Sequence, residues 1–285
     1  MNSVNDSSFA GSVAVITGAG GTLCSVIAED LASLGVKVVL IGRSEDKLKK
    51  VLDQILAQGG IARIECADVT DEAALEAIER KVSAEWGSCR FLINGAGGNN
   101  IKAMTSALNA AEELPEAGVE GKAGFFSLDI PAFESVLKTN TLGTVIPCRV
   151  FGRAMVASRR GCILNFASMN SSRPLTRVPA YAMAKAAVVN FTQWLAVYMA
   201  PAGVRVNAVA PGFFVNERSK AYLMTPDGGL SPRGENVMRH TPIGRFGEAQ
   251  ELLGCVRWLL DDRNAAFVTG VTIPVDGGFL ASSGV

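Results

Sequence analysis

Val13-Ala14-Val15-Ile16-Thr17-Gly18-Ala19-Gly20-Gly21-Thr22-Leu23-Cys24 is the stretch on which the fold turns. An unbroken apolar run passes through a turn rich in glycine and enters residues 23–34, whose apolar spacing is helical. A run apolar at every position suits a strand covered on both faces, as parallel strands are. A glycine-rich turn from strand to helix exposes backbone N–H groups at a positive helix end, where a pyrophosphate can settle. Alone, the turn is also compatible with an ordinary connection, because the spacing G-x-G-x-x-G is absent.

Outward from this stretch the same alternation repeats. Residues 36–41, 61–66, 91–93, 162–166, 204–209 and 271–275 read as six further buried strands. Helical patterns fill 45–58, 71–86, 131–157, 180–200 and 248–261, with Ser44 as an N-cap before acidic Glu45 and Asp46. Gly35 and Gly59 close the helices before them. The expectation is one α/β domain over residues 1–285, a Rossmann-type doubly wound parallel sheet of about seven strands. Its ligand belongs beyond the carboxyl ends of the strands. Two segments interrupt the rhythm, near 99–127 and 212–247, and loops of that length often serve as lids or binding loops.

Composition narrows the function. Lys plus Arg and Asp plus Glu are both 27, with no long block of like charge, so neither nucleic acid nor a membrane is expected as a partner. No apolar run is long enough for a transmembrane helix, and the polar start lacks a secretory pattern, so a cytoplasmic location is expected. The 6 cysteines are scattered without C-x-x-C spacing and read as reduced thiols. With His240 the single histidine, a His-based zinc site and a Ser-His-Asp triad are disfavoured, and no metal is expected.

Thr17-Gly18, Asp68, Asn94-Gly95-Ala96-Gly97, Asn140, Ser168, Tyr181-x-x-x-Lys185 and Pro211-Gly212 stand in an order and spacing that resembles the short-chain dehydrogenase/reductase family over residues 12–278. The resemblance implies an NAD(P)-dependent oxidoreductase interconverting a carbonyl and a secondary alcohol. The family's glycine turn is T-G-x-x-x-G-x-G, and this chain departs from it with Thr22 and Cys24. Both replacements are small, so cofactor binding is expected to survive.

Tyr181 and Lys185 lie one helical turn apart on one face. A free phenol has a pKa near ~10, and a nearby lysine cation lowers it, so Tyr181 is expected to act as general acid in reduction and general base in oxidation. Ser168 ends a predicted strand and fits a hydroxyl that hydrogen-bonds the substrate oxygen. By resemblance, Asn140 holds a water in a proton relay through Lys185. A Y-x-x-x-K pair, a strand-ending Ser and a mid-helix Asn are each commonplace alone; their joint spacing points to catalysis.

The cofactor-binding residues expected on the same grounds are Thr17, Gly18, Gly20, Gly21, Thr22, Leu23, Arg43, Ser44, Asp68, Val69, Asn94, Gly95, Ala96, Gly97, Tyr181, Lys185, Pro211, Gly212, Phe214 and Asn216. An acidic residue ending the second strand would bind ribose hydroxyls and repel a 2′-phosphate. Here Gly42 is followed by Arg43 and Ser44, so NADP(H) is expected in preference to NAD(H), with NAD(H) possible.

Residues 92–99, the insertion after them, 191–197, 211–214 and 274–279 most resemble the D-mannonate oxidoreductase (fructuronate reductase) subgroup, whose members carry an acidic residue where this chain has Gly42. D-Fructuronate and D-mannonate are then the expected substrate pair, with Asn99, Asn170 and Arg173 as substrate-binding candidates and Arg173 as a carboxylate clamp. Asn100, Lys102, Arg218 and His240 are further candidates. The alternatives are another sugar or polyol dehydrogenase, a 3-oxoacyl thioester reductase, and a dinucleotide-binding regulator without turnover. The resemblance also implies a homotetramer, paired through helices 131–157 and 180–200.

Overall fold

A computed structural model describes residues 8–115, 121–215 and 217–283. Its strands are β1 (Val13–Thr17), β2 (Lys37–Gly42), β3 (Ile61–Cys66), β4 (Cys89–Asn94), β5 (Gly161–Phe166), β6 (Val204–Pro211) and β7 (Thr272–Val275). All pair in parallel in the order β3-β2-β1-β4-β5-β6-β7, as the continuous apolar runs require. The order reverses between β1 and β4, which opens a crevice beyond their carboxyl ends.

Around the sheet lie α1 (Thr22–Ser33), α2 (Glu45–Ala57), α3 (Glu72–Trp86), α4 (Ile130–Ser158), α5 (Pro179–Met199), α6 (Glu217–Leu223), α7 (Pro232–Arg239) and α8 (Leu253–Leu260) among the described residues. Alternate strand residues feed two cores. Ala14, Ile16, Leu40 and Phe91 meet Ile27 and Leu31 of α1 and Leu259 of α8. Val15, Val39, Ile41 and Leu92 meet Leu75 of α3, Phe151 of α4 and Leu195 of α5. Full burial of one such side chain contributes about 1.5–3 kcal/mol, so the two layers hold the sheet between its helices. At the free edge, β3 carries Arg63, paired with Glu65 at 2.7 Å and Glu85 at 2.6 Å, charges that discourage further strand pairing.

The segment 212–247, expected as an irregular loop, instead contains α6 and α7. The start of α7 has sound local causes: Ser231 caps it by accepting from Gly234 N at 3.1 Å, and Pro232 occupies its first turn. Abundant Pro, Gly and Arg masked this helix in the sequence. The segment 99–127 holds three 3-10 turns, at Ile101–Ala103, Ala110–Glu113 and Phe125–Ser127.

A polar ladder crosses the core beneath the crevice. Asn94 Nδ2 donates to Asn165 Oδ1 at 2.9 Å, and Asn165 Nδ2 donates to Thr192 Oγ1 at 2.9 Å, joining β4, β5 and α5. All three residues are buried. Asn165→Ala strands a donor on Asn94 and an acceptor on Thr192, and is expected to lower unfolding stability by about 2–4 kcal/mol. Urea denaturation followed by circular dichroism checks this; an unchanged midpoint contradicts the ladder's structural role.

Candidate functional site

Ser168 follows β5 directly and caps the short 3-10 turn Met169–Ser171. Its buried hydroxyl accepts from Asn170 N at 3.2 Å and Asn170 Nδ2 at 3.5 Å. Pro179 starts α5, which places Tyr181 in its first turn and Lys185 one turn later. The Tyr181 phenol lies against the Ser168 hydroxyl, and the Lys185 ammonium stands 5.6 Å from the centroid of the Tyr181 ring. Lys185 is 4 % exposed, and Nζ donates to the Phe166 carbonyl at 2.7 Å. Asn140, buried midway along α4, donates through Nδ2 to Gly98 O and Val136 O, both at 2.8 Å, and accepts from Gly98 N at 3.2 Å. Its amide clips the chain that leaves β4 onto α4, with exposed Gly97 beside both Asn140 and Lys185.

Burial dominates the protonation of this group. It pushes the Tyr181 phenol above its usual value, with the Ser168 hydroxyl working the other way. It pulls Lys185 down to about 8, against a smaller upward pull from Cys24. The sequence led us to expect a phenol lowered by the lysine cation. In this chain the ammonium is instead turned to Phe166, and desolvation of the phenolate outweighs the Ser168 hydrogen bond.

Several of the expected cofactor residues stand on the turns that follow β1 and β4. Gly18 takes a left-handed turn at φ 67° after Thr17, whose hydroxyl accepts from Ala96 N at 3.2 Å. Gly20 and Gly21 follow, and Gly21 precedes α1 without a side-chain cap or an acidic first turn. The first N–H groups of α1, near exposed Thr22 and half-buried Leu23, therefore face the crevice at the positive end of the helix. Oδ1 of Asn94 is buried without a hydrogen-bond partner among the described residues. An uncapped helix start and an orphaned buried acceptor suit a dinucleotide with its phosphates and hydroxyls.

Asp68 accepts from Thr70 N and Thr70 Oγ1, both at 2.8 Å, which holds its carboxyl below the usual range. Val69 packs on Gly143 of α4. Exposed Arg43 stands 3.7 Å from Asp68, a weak surface pair, and Ser44 begins α2 without using its hydroxyl as a cap. On the far side, Gly212 N donates to Val275 O at 2.9 Å, fixing Pro211 and Gly212 at the end of β6, and buried Phe214 packs on Gly247. Asn216 and the Arg218 side chain lie outside the described residues.

The substrate candidates are more dispersed. Exposed Asn99 accepts from Asn100 N at 2.9 Å, and Asn100 accepts from Lys102 N at 3.0 Å. Asn170 lies at the site, where its Oδ1 also accepts from Leu175 N at 2.9 Å. Arg173 is exposed, with Nη1 donating to the Ser282 carbonyl at 2.5 Å. His240 ends α7 with Nδ1 2.7 Å from Asn236 O. Sequence reading did not single out Asn165, although an Asn inside the apolar run 162–166 was a signal. It also passed over Arg177, on the loop that leads into α5.

The departures in the glycine turn have a spatial explanation. Cys24 is buried and its thiol is pushed up to about 12, chiefly by burial. A Cβ on Gly95 would fall 2.1 Å from Cys24 Sγ, far inside contact distance. Position 95 is bare where α1 meets the β4 turn, which leaves room for the Cys24 thiol. Gly95→Ala is therefore expected to destabilise the protein by about 1–3 kcal/mol and weaken cofactor binding, while Cys24→Gly added to it restores both. Thermal melting and cofactor titration of the two singles and the double measure this coupling; additive effects would contradict it.

Comparison with known proteins agrees with this geometry. A family model for short chain dehydrogenases matches residues 12–223. The uncharacterized oxidoreductase UxuB of Bacillus subtilis is 43% identical over 276 residues, spanning 97% of each chain. An NAD-bound crystal structure from Haemophilus influenzae, of a protein provisionally named a D-mannonate oxidoreductase, is 41% identical, covers 97% of both chains and superposes with a TM-score of 0.91. A gluconate 5-dehydrogenase from Burkholderia cenocepacia, solved with NADP and tartrate, is 26% identical, with 98% and 99% of the two chains covered and a TM-score of 0.81. With its parallel sheet, its crevice and its Ser168–Tyr181–Lys185 cluster, the chain belongs to the short-chain dehydrogenase family of NAD(P)-dependent oxidoreductases.

Proposed function

We infer that this enzyme reduces the keto group of a sugar acid, with D-fructuronate and D-mannonate as the substrate pair. The observation that carries the reaction is the buried meeting of the Ser168 hydroxyl, the Tyr181 phenol and the Lys185 ammonium beside the crevice. A reduced nicotinamide dinucleotide held by the residues around Gly18, Asp68 and Asn94 supplies the hydride. Ser168 and Tyr181 hold the carbonyl oxygen, and the phenol donates the proton. Lys185, held on Phe166, keeps a positive charge beside the ring, and Asn140 fixes the floor of the site.

The sugar-acid assignment draws on the 41% identical Haemophilus relative and on the gluconate 5-dehydrogenase of the same fold, solved with a dicarboxylate. Two insertions rich in polar groups border the site, which suits a small hydroxylated substrate better than an acyl thioester arm. The enzyme acts in the cytoplasm as a homotetramer. The exposed stack of Trp194 and Tyr198 on α5, with ring centroids 5.2 Å apart, supports pairing of copies through that helix.

The test compares kcat/KM for D-fructuronate, D-fructose and an acyl thioester, in native enzyme and in Tyr181→Phe. D-Fructuronate should lead by about tenfold or more, and Tyr181→Phe should lose about 10³-fold in kcat with cofactor affinity intact. Preference for the thioester would replace the substrate assignment, and near-normal turnover in Tyr181→Phe would remove the mechanism.

NADP(H) is the proposed cofactor, because β2 ends in Gly42 with no carboxylate and Arg43 follows with an exposed guanidinium. Gly42→Asp should shift the kcat/KM ratio toward NAD(H) by about tenfold or more. Equal kcat/KM for both cofactors in native enzyme would overturn this preference.

A further inference from the structure

A sugar acid brings a carboxylate into a partly desolvated site, and a carboxylate there requires a cationic partner. Arg173 already donates to the carbonyl of Ser282, and Lys102 is exposed on the first insertion. Two other arginines are differently placed.

Arg177 lies on the loop entering α5, one turn before Tyr181, in a left-handed conformation at φ 73°. A non-glycine residue in that conformation carries strain on the order of 1–2 kcal/mol, so its surroundings must enforce it. One such restraint comes from the first insertion, where Thr105 N donates to the Arg177 carbonyl at 3.0 Å. The same insertion supplies Ala103, which packs with Val136 and the Tyr181 ring. Nε of Arg177 is buried and has no hydrogen-bond partner. Among the described residues, the Arg177 guanidinium forms neither a hydrogen bond nor a salt bridge. The acid within its electrostatic reach, Glu112, is engaged by Lys122 Nζ at 2.8 Å and Asn109 Nδ2 at 3.1 Å.

Arg233 enters from the second insertion, in the first turn of α7. It is half-buried, and among the described residues its guanidinium likewise has no hydrogen-bond or salt-bridge partner. Burial disfavours its charged form, and the positive charge of Arg177 disfavours it further. Two partly buried guanidiniums, mutually repelling and with no acid bonded to either among the described residues, form an arrangement that an anion between them relieves. Each presents five N–H donors in a planar fork matched to a carboxylate.

We propose that Arg177 and Arg233, one from the loop before the Tyr181 helix and one from the second insertion, together bind the carboxylate of the substrate. The proposal rests on the sugar-acid reading and assigns that acid's recognition to these two arginines. An uncharged ketose gains nothing from the pair and leaves the repulsion in place, so the same two residues discriminate against it.

The experiment uses D-gluconate as a probe with the NADPH-loaded enzyme, a pairing that cannot turn over because both partners are reduced. Calorimetry gives the D-gluconate Kd for native enzyme, Arg177→Gln, Arg233→Gln and Arg233→Lys, with D-glucitol as the uncharged control. Each Gln variant should weaken D-gluconate by about fivefold or more, Arg233→Lys should recover part of the loss, and D-glucitol binding should not change. The D-fructuronate KM should rise in parallel. A loss below about fivefold in Arg233→Gln overturns the proposal, as does an equal loss for D-glucitol; Arg233→Gln alone decides if Arg177→Gln does not fold. If native enzyme reduces D-fructuronate no better than D-fructose while D-gluconate still requires both arginines, the sugar-acid reaction fails and the anion site stands. If D-fructuronate is preferred and the variants bind D-gluconate normally, the reaction stands and the arginine pair does not.

Discussion

An ammonium withdrawn from water is costly unless polar groups surround it, and Lys185 donates to the carbonyl of Phe166 at 2.7 Å. That requirement organises the centre of the molecule. Lys185 must stand above the end of β5, so α5 must cross that strand at one height and one rotation. Ser171 Oγ donates to the Lys185 carbonyl at 3.0 Å, and the Asn165–Thr192 bond fixes the same helix two turns further along. With α5 so held, Tyr181 reaches Ser168, and Asn140 of the neighbouring long helix reaches the turn after β4. Strand ends, turns and helix starts thereby meet at one point.

The parallel sheet was legible because its inner strands are apolar at nearly every position, and their burial leaves no other use for such runs. The catalytic candidates were legible because a helical turn separates Tyr181 from Lys185 and because Ser168 closes a strand. Contacts between residues remote in sequence were not legible. Nothing near Cys24 announces that Gly95 accommodates it, and nothing near Arg177 announces Arg233. The electrostatic balance around Tyr181 was also misjudged, since the depth of burial is set by packing of Ala103, Val136 and Ala180 rather than by any local pattern. In the segment 212–247, Ser231 and Pro232 signalled a helix that the surrounding Gly and Pro obscured.

The fold separates two tasks. Strand ends and helix starts, rigid through burial in two cores, hold the groups common to many oxidoreductases. The two insertions border that centre from opposite sides of the sequence, and neither belongs to the sheet. They vary more freely than the sheet, though Ala103 and Phe214 tie each of them to buried clusters, and such variation lets one scaffold serve substrates of different shape and charge.

The exchange of space between positions 24 and 95 also bears on how such a sequence can arise. A methyl at 95 would meet the thiol at 24 where it now stands, so the Cys24 side chain would have to turn away to admit one. A glycine at 95 tolerates either occupant at 24. Of the two routes to this pair, the one that leaves the thiol unmoved empties position 95 before filling position 24, since the reverse order brings Cys24 Sγ against a Cβ at 95.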